Sequence, residues 1–317
     1  MSGLVTLGEQ MGQLSAEREG PLRAGSPAWV SVCGAEATVA IGVSRLGFPV
    51  TYLGRVGDDA FGLMGRTVLR AEGVDVSHLV VDPAAPTGLL VRTRRTADRT
   101  VVEYLRAGSA GSRLAPEDLD EDVVAAADLL HVTGITPALG PSAAAAVERA
   151  VAVAVAAGVP VSVDVNHRAR LWASDDPPWL RPLVSAADVL FGSRHELGLL
   201  APGLDEDAPT AELLTAAAAH GPREVVLTQG AAGASSLVDG VLLSVEAHRV
   251  TAVDVVGAGD AFVAGYLAAR LEGREPLERL RAGAVVGAFA VGSRGDWEGL
   301  PRRAELALFD HVDDVLR

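Results

Sequence analysis

Short Val/Leu-rich runs alternate with longer helical patterns along most of this chain, and that alternation is the strongest constraint on its fold. The runs are Leu4–Leu7, Val50–Leu53, Leu129–Val132, Val159–Val165, Val189–Phe191 and Glu224–Thr228. They read as strands buried on both faces, because a strand with one wet face would alternate apolar and polar residues. Between them Ala35–Leu46, Phe61–Glu72, Pro141–Ala157, Ala211–His220, Gly259–Leu271 and Pro276–Val291 read as helices. The Ala-rich stretches Ala143–Ala146 and Ala216–Ala219 belong to this helical set, since Ala has the highest helix propensity. The order predicts an α/β fold: a doubly wound, mostly parallel sheet flanked by helices, with right-handed crossovers. Residues 14–33 and 88–107 break the pattern. The second stretch reads as two strands joined near Thr96–Arg99, and both are expected to form a small β-sheet lid. Residues 1–317 then make a single domain whose lid covers the carboxyl ends of the strands, where open α/β sheets bind ligands.

Charge narrows the partners. With 27 Lys+Arg against 41 Asp+Glu, the net charge of −14 opposes attraction to nucleic acid or anionic membranes. Cys33 is the lone cysteine, so no internal disulfide forms, which fits a reducing cytoplasm. The opening segment has no basic stretch leading into an apolar one, and no run approaches the ~18 apolar residues of a membrane span. A cytoplasmic protein is expected.

The densest chemical signal is Asp254-Val-Val-Gly257-Ala258-Gly259-Asp260-Ala-Phe262, followed by a helical run. Two glycines before a helix let successive N–H groups converge, and the helix start adds its positive dipole end; together they form an anion hole. Asp260 stands beside it, where a carboxylate can take a hydroxyl proton as phosphate is attacked. The spacing alone also describes a glycine turn with a helix-capping acid. Neither G-x-x-x-x-G-K-[ST] nor a strand-linked G-x-G-x-x-G near the start is present, which argues against a P-loop NTPase and a dinucleotide-binding dehydrogenase.

This block resembles the late signature of the ribokinase-like (PfkB) carbohydrate kinases, D-x-x-G-A-G-D-x-F. The Gly34-Ala35-Glu36-Ala-Thr38-Val-Ala40 stretch, Arg45-Leu46-Gly47, and Gly54-Arg-Val-Gly57-Asp58-Asp59-x-x-Gly62 are similar to the early one. The resemblance implies that Asp260 is the catalytic base and that the Gly257, Ala258 and Gly259 backbone holds the transferring phosphoryl group. It further implies ATP and Mg²⁺, with Ser193, Thr228, Gly230 and Gly233 on the nucleotide. Glu196 would hold the metal indirectly, through water. A monovalent cation is a further possibility.

Asp164-Val-Asn166-His167-Arg168, Tyr104-Leu-Arg106-Ala-Gly108-Ser109-Ala110 and the segment from His131 to Leu139 are similar to the 2-keto-3-deoxygluconate kinases of that family. The resemblance implies that Arg168 and Arg106 bind a sugar acid and that Gly34, Tyr104 and Ile135 line its pocket, with Asp296 touching the acceptor or closing the site. Guanidinium geometry suits a carboxylate. Thr38 stands where Asn is usual, Leu90 and Leu105 where Tyr is common, and Cys33 where Gly is common; these changes bear on which acceptor fits. Open alternatives are a neutral-sugar or nucleoside kinase of the same family (fructose, ribose) and a non-catalytic nucleotide- or sugar-binding regulator. Arg92, Arg94, Arg95 and Arg99 are expected on a solvated outer face of the lid. Exposed lid edges favour a homodimer or larger homo-oligomer.

Overall fold

Alternate residues of the apolar strands pack against opposite faces of one sheet, as period-2 geometry requires. Val189 and Phe191 join one core while Leu190 joins the other, and Val226 separates from Val225 and Leu227 in the same way. The computed structural model describes residues 3–96, 99–205 and 207–310. In chain order the strands begin with β1 (Leu4–Gly8), β2 (Met11–Glu19), β3 (Ala28–Cys33), β4 (Val50–Gly57), β5 (Leu79–Asp82), β6 (Leu89–Thr96) and β7 (Arg99–Leu105). They continue with β8 (Leu129–Thr133), β9 (Val161–Asp164), β10 (Val189–Ser193), β11 (Glu224–Thr228), β12 (Ala234–Val238) and β13 (Val241–Val245). The helices are α1 (Ala35–Arg45), α2 (Ala60–Ala71), α3 (Glu121–Ala125), α4 (Pro141–Ala157), α5 (Leu180–Ser185), α6 (Arg194–Gly198), α7 (Thr210–Ala218), α8 (Ala258–Leu271) and α9 (Pro276–Val291).

The large sheet runs β13-β12-β11-β10-β9-β8-β1-β4-β5 and is parallel from β11 to β5, with β12 and β13 antiparallel at one edge. This is the expected doubly wound architecture. Residues of α1, α8 and α9 pack on one face and residues of α4, α5 and α7 on the other. The sequence did not foresee β5, β12 or β13, nor the short α3, α5 and α6. Strand β12, with Ser235 and Ser236 inside it, lacks the unbroken apolar run of the parallel strands. The run from Val159 to Val165 is strand only over Val161–Asp164.

Helix starts follow local chemistry. Pro141 opens α4 and Gly158 closes it at φ 73°, the usual placement of the two residues. Gly257 opens α8 at φ 76°, and a Cβ there would overlap the Asp296 carbonyl, so only glycine fits this turn.

A second sheet, in the order β3-β2-β6-β7, lies over one end of the large one. Ala97 and Asp98, in the predicted joint between β6 and β7, fall outside the described residues. The cross-strand pairs Leu90–Tyr104 and Arg92–Val102 turn toward the large sheet and line the cavity beneath. Arg92 is therefore not on a solvated outer face: it is 9% exposed, because it shares the inward phase of β6 with Leu90. Leu105, one residue out of phase with Tyr104, is exposed and does not face the cavity.

Candidate active site

From β1 the chain crosses to β4 and β5 on one side, then returns to β8 through β11 on the other. The crevice at this switch point is the place an open sheet offers a ligand. The strands around it deliver residues to its wall from their carboxyl ends: Glu9 after β1, the apolar Ile135 after β8, Asn166 after β9, Glu196 after β10 and Thr228 at the end of β11. With the small sheet as roof they enclose a cavity of about 400 Å³.

Asp260, in the first turn of α8, stands in its wall. Its Oδ1 accepts a hydrogen bond from Asn166 Nδ2 at 3.1 Å, and the same amide donates to Asp164 Oδ2 at 2.9 Å. Asn166 holds a left-handed backbone, φ 45°, rarely adopted by a residue with a side chain and common at functional sites. Burial raises the Asp260 carboxyl above the usual carboxylate range; Arg168 and the Asn166 bond pull it back, and Glu196 pushes it up. Asp164 is raised further, first by burial and then by the Glu196 and Asp260 charges. A carboxylate of raised basicity held beside a helix N-terminus can take a proton from a hydroxyl.

Gly259 adjoins Asp260, and a Cβ on it would meet no protein atom within 4 Å. It lines the polar cavity and also a second, more apolar cavity of about 520 Å³ walled by Val250, Phe262, Ala284, Ala288 and Val291. Thr228, Val255 and Gly259 border both. Gly230 and Gly233 edge the second cavity, with φ values of 56° and 99° that favour glycine. The dimensions suit a small hydroxylated molecule on one side and a nucleotide-sized one on the other, with the Gly257–Gly259 turn between them.

Among the expected acceptor residues, Gly34, Tyr104, Arg106, Ile135, Arg168 and Asp296 all line the polar cavity. A Cβ on Gly34 would come within 2.6 Å of the Glu9 carbonyl. Arg106 is already engaged: its Nε donates to Glu9 Oε2 at 2.7 Å, Nη2 pairs with the same carboxylate, and Ser109 donates to its other oxygen. Burial pushes Asp296 up to about 7, against the pull of Arg92. Thr38 is buried and is absent from the cavity wall. Ser193 is in neither wall; it caps α6 by accepting from the Glu196 N–H, while Glu196 accepts from the Ser193 and His167 N–H groups at 2.7 Å each.

Sequence reading gave no role to Glu9, Asp164, Asn166 or the buried Glu36, whose Oε1 accepts from Thr133 and Thr136. A polar residue just past an apolar strand was the available signal, and the Asp164–Arg168 block carried it.

For magnesium, no group of three His, Cys, Asp or Glu residues converges on one point among the described residues. The wall does offer the carboxylates of Glu196 and Asp164. That suits an ion held chiefly by phosphate oxygens and water, as magnesium commonly is.

Two cavities meeting at a glycine turn beside a carboxylate suit phosphoryl transfer, and the doubly wound sheet with its small covering sheet is that of a ribokinase-like kinase. Residues 1–303 match the pfkB family carbohydrate kinase. The chain belongs to that family. It is 36% identical over 310 residues to a 2-dehydro-3-deoxygluconokinase of Thermoproteus tenax, covering 96% of this chain and 93% of the relative. To a 2-dehydro-3-deoxygluconokinase of Bacillus subtilis it is 33% identical over 318 residues, covering 96% and 94%. A putative ribokinase II from E. coli, solved in complex with ATP and Mg²⁺, superposes with a TM-score of 0.88 at 27% identity, covering 98% and 99%.

Proposed function

We propose that this carbohydrate kinase uses ATP to phosphorylate a terminal hydroxyl of a sugar acid, with 2-keto-3-deoxygluconate (2-dehydro-3-deoxygluconate) as the acceptor. One observation carries the choice of an acid. Of the arginines in the cavity wall, Arg92 and Arg106 face carboxylates of the protein. Arg168 has no ion pair among the described residues; its hydrogen bond goes to the neighbouring His167 carbonyl, at 3.0 Å. It remains available to an incoming carboxylate, which a guanidinium can hold through two parallel bonds. The names of the two gluconokinase relatives support the same acceptor.

In this reading Asp260 removes the hydroxyl proton as the oxygen attacks the γ-phosphorus. The bond to the β–γ bridging oxygen breaks, and ADP leaves. The N–H groups of the Gly257–Gly259 turn take up charge on the transferring group, at a helix start where they have no intrahelical partner. Asn166 holds Asp260 in line, and the small sheet acts as a lid that keeps water out. Magnesium, when bound, neutralises phosphate charge; Glu196 and Asp164 would hold it through water. The nucleotide lies along Thr228, Gly230 and Gly233, while Ser193 serves by fixing Glu196. A monovalent cation near the turn, a cytoplasmic location and a homodimer or larger homo-oligomer built through the lid edges belong to the same proposal. Among the described residues, no helix is long and apolar enough to cross a membrane.

The test is kcat/KM for 2-keto-3-deoxygluconate, fructose and ribose with ATP and magnesium, in wild type and Arg168→Ala. The acid is expected to lead in wild type. Arg168→Ala should cut that lead by roughly 30-fold or more, the usual effect of removing one partner of an enclosed charge pair. Equal losses for acid and neutral sugars, or a wild-type preference for ribose or fructose, would move the assignment to a neutral-sugar kinase.

A further inference from the structure

Arg92 belongs to the small sheet, yet its charge is spent on the phosphate-binding turn. Nη2 lies 2.9 and 2.8 Å from the two carboxylate oxygens of Asp254, and Nη1 lies 3.6 Å from Asp296 Oδ1. Asp254 opens the segment that runs into Gly257 and Gly259. Its oxygens also accept from the N–H of Val256 at 3.2 Å, within that segment, and of Gly295 at 3.4 Å, beside Asp296. Gly257 in turn packs against the Asp296 backbone so closely that no Cβ fits between them. A single guanidinium thus joins the roof, the turn and the segment behind it.

The arrangement matters because the neighbourhood is otherwise anionic. The charges of Asp260, Glu298 and Asp254 all push the Asp296 carboxyl up against the pull of Arg92, and Arg92 lines the cavity with Asp260 and Asp296. Without it Asp254 would be a poorly exposed carboxylate facing like charges, free to turn away from the Val256 and Gly295 amides.

We propose that Arg92 is a positioning residue for phosphoryl transfer: through Asp254 it sets the shape of the Gly257–Gly259 turn from the small sheet. This rests on the kinase reading above. Displacing a charge-stabilising turn by about 1 Å can cost roughly 100-fold in rate, and the loss should fall on kcat, since the apolar nucleotide cavity does not include Arg92.

The experiment is a double-mutant cycle on the full-length protein. It reads kcat and the KM for ATP with the best acceptor, beside a thermal melt. Arg92→Leu and Asp254→Asn are each expected to lower kcat by roughly 100-fold and to leave the ATP KM within about threefold. The double variant should be no slower than the slower single, because both changes break one linkage. Arg92→Lys, which keeps the charge but not the fork, should recover about tenfold of the loss. Should Arg92→Leu fail to fold, Arg92→Lys alone and combined with Asp254→Asn carries the same comparison. Losses that multiply in the double variant, wild-type kcat in Arg92→Leu, or a rise in ATP KM matching the fall in kcat would overturn the proposal. A wild-type protein that phosphorylates no sugar would instead overturn the kinase reading, so the two failures are distinct.

Discussion

Asp260→Asn is expected to lower kcat by roughly 10²–10⁴-fold, the usual contribution of a placed general base, while ATP binding stays near normal. The amide is isosteric with the carboxylate, and its oxygen can still accept from Asn166 Nδ2, which bonds Asp260 at 3.1 Å. Neither the turn nor the start of α8 needs the charge for its geometry. Only the capacity to take a proton is lost. Because burial raises the Asp260 carboxyl, the wild-type rate should fall as pH drops through a midpoint above the ordinary carboxylate range. Below that midpoint the base is protonated and silent; above it, it is ready. In the Asn variant this acid limb should vanish from the residual rate. Steady-state kinetics across pH, with ATP affinity by calorimetry, checks both statements, and near-normal turnover in the folded variant would remove Asp260 from the mechanism.

The second large effect is expected at Gly259. Gly259→Val should reduce turnover by at least roughly 10³-fold, comparable to losing the donors of an oxyanion-type site, with little change in Tm. Apart from its chain neighbours and its own helix backbone, no protein atom lies within 4 Å of a Cβ at this position, so the folded chain has room for the new side chain. Valine is also a better helix residue than glycine in the first turn of α8. The space it would fill is the passage shared by the two cavities, where the phosphoryl group has to cross. Gly257→Val provides the contrast. Its positive φ and the Asp296 carbonyl against it should make that variant lose stability and activity together. Melting curves beside kcat for the two variants separate the cases: if Gly259→Val stays active, the turn does not cradle the phosphoryl group.

The buried arginine also bears on the acceptor. Arg106 was expected to meet the sugar acid, yet it pairs with Glu9, which Ser109 holds in turn, and Arg92 is held by Asp254. Arg168 is left as the cavity arginine without a direct salt bridge among the described residues, acting on Asp260 and Asp164 only from longer range. Leu90 faces the same cavity, while Leu105 points outward. Of the two leucines standing where tyrosine is common, only Leu90 can alter what the pocket accepts.

Much of this protein is local, and the sequence determined that part alone. A buried parallel strand must be apolar throughout, and a helix facing it must carry an apolar stripe, so the central strands β1, β4 and β8 to β11 and the helices α1, α2, α4 and α7 to α9 were legible. The Gly257–Asp260 turn was legible too, because the backbone angles it needs are available to glycine and the helix start follows within a residue. Strand β12 escaped because Ser235 and Ser236 interrupt its apolar pattern, and β13 because it is a largely exposed edge strand. What the sequence could not supply was pairing across long separations. Glu9 meets Arg106, Arg92 meets Asp254 and Asn166 meets Asp260 only because the crossovers bring the strand ends and the small sheet to one crevice. Whether an arginine is free for substrate or already matched depends on which carboxylate the fold sets within hydrogen-bond reach. That distance is a property of the packed chain, because charge spacing along a sequence does not fix separation in space.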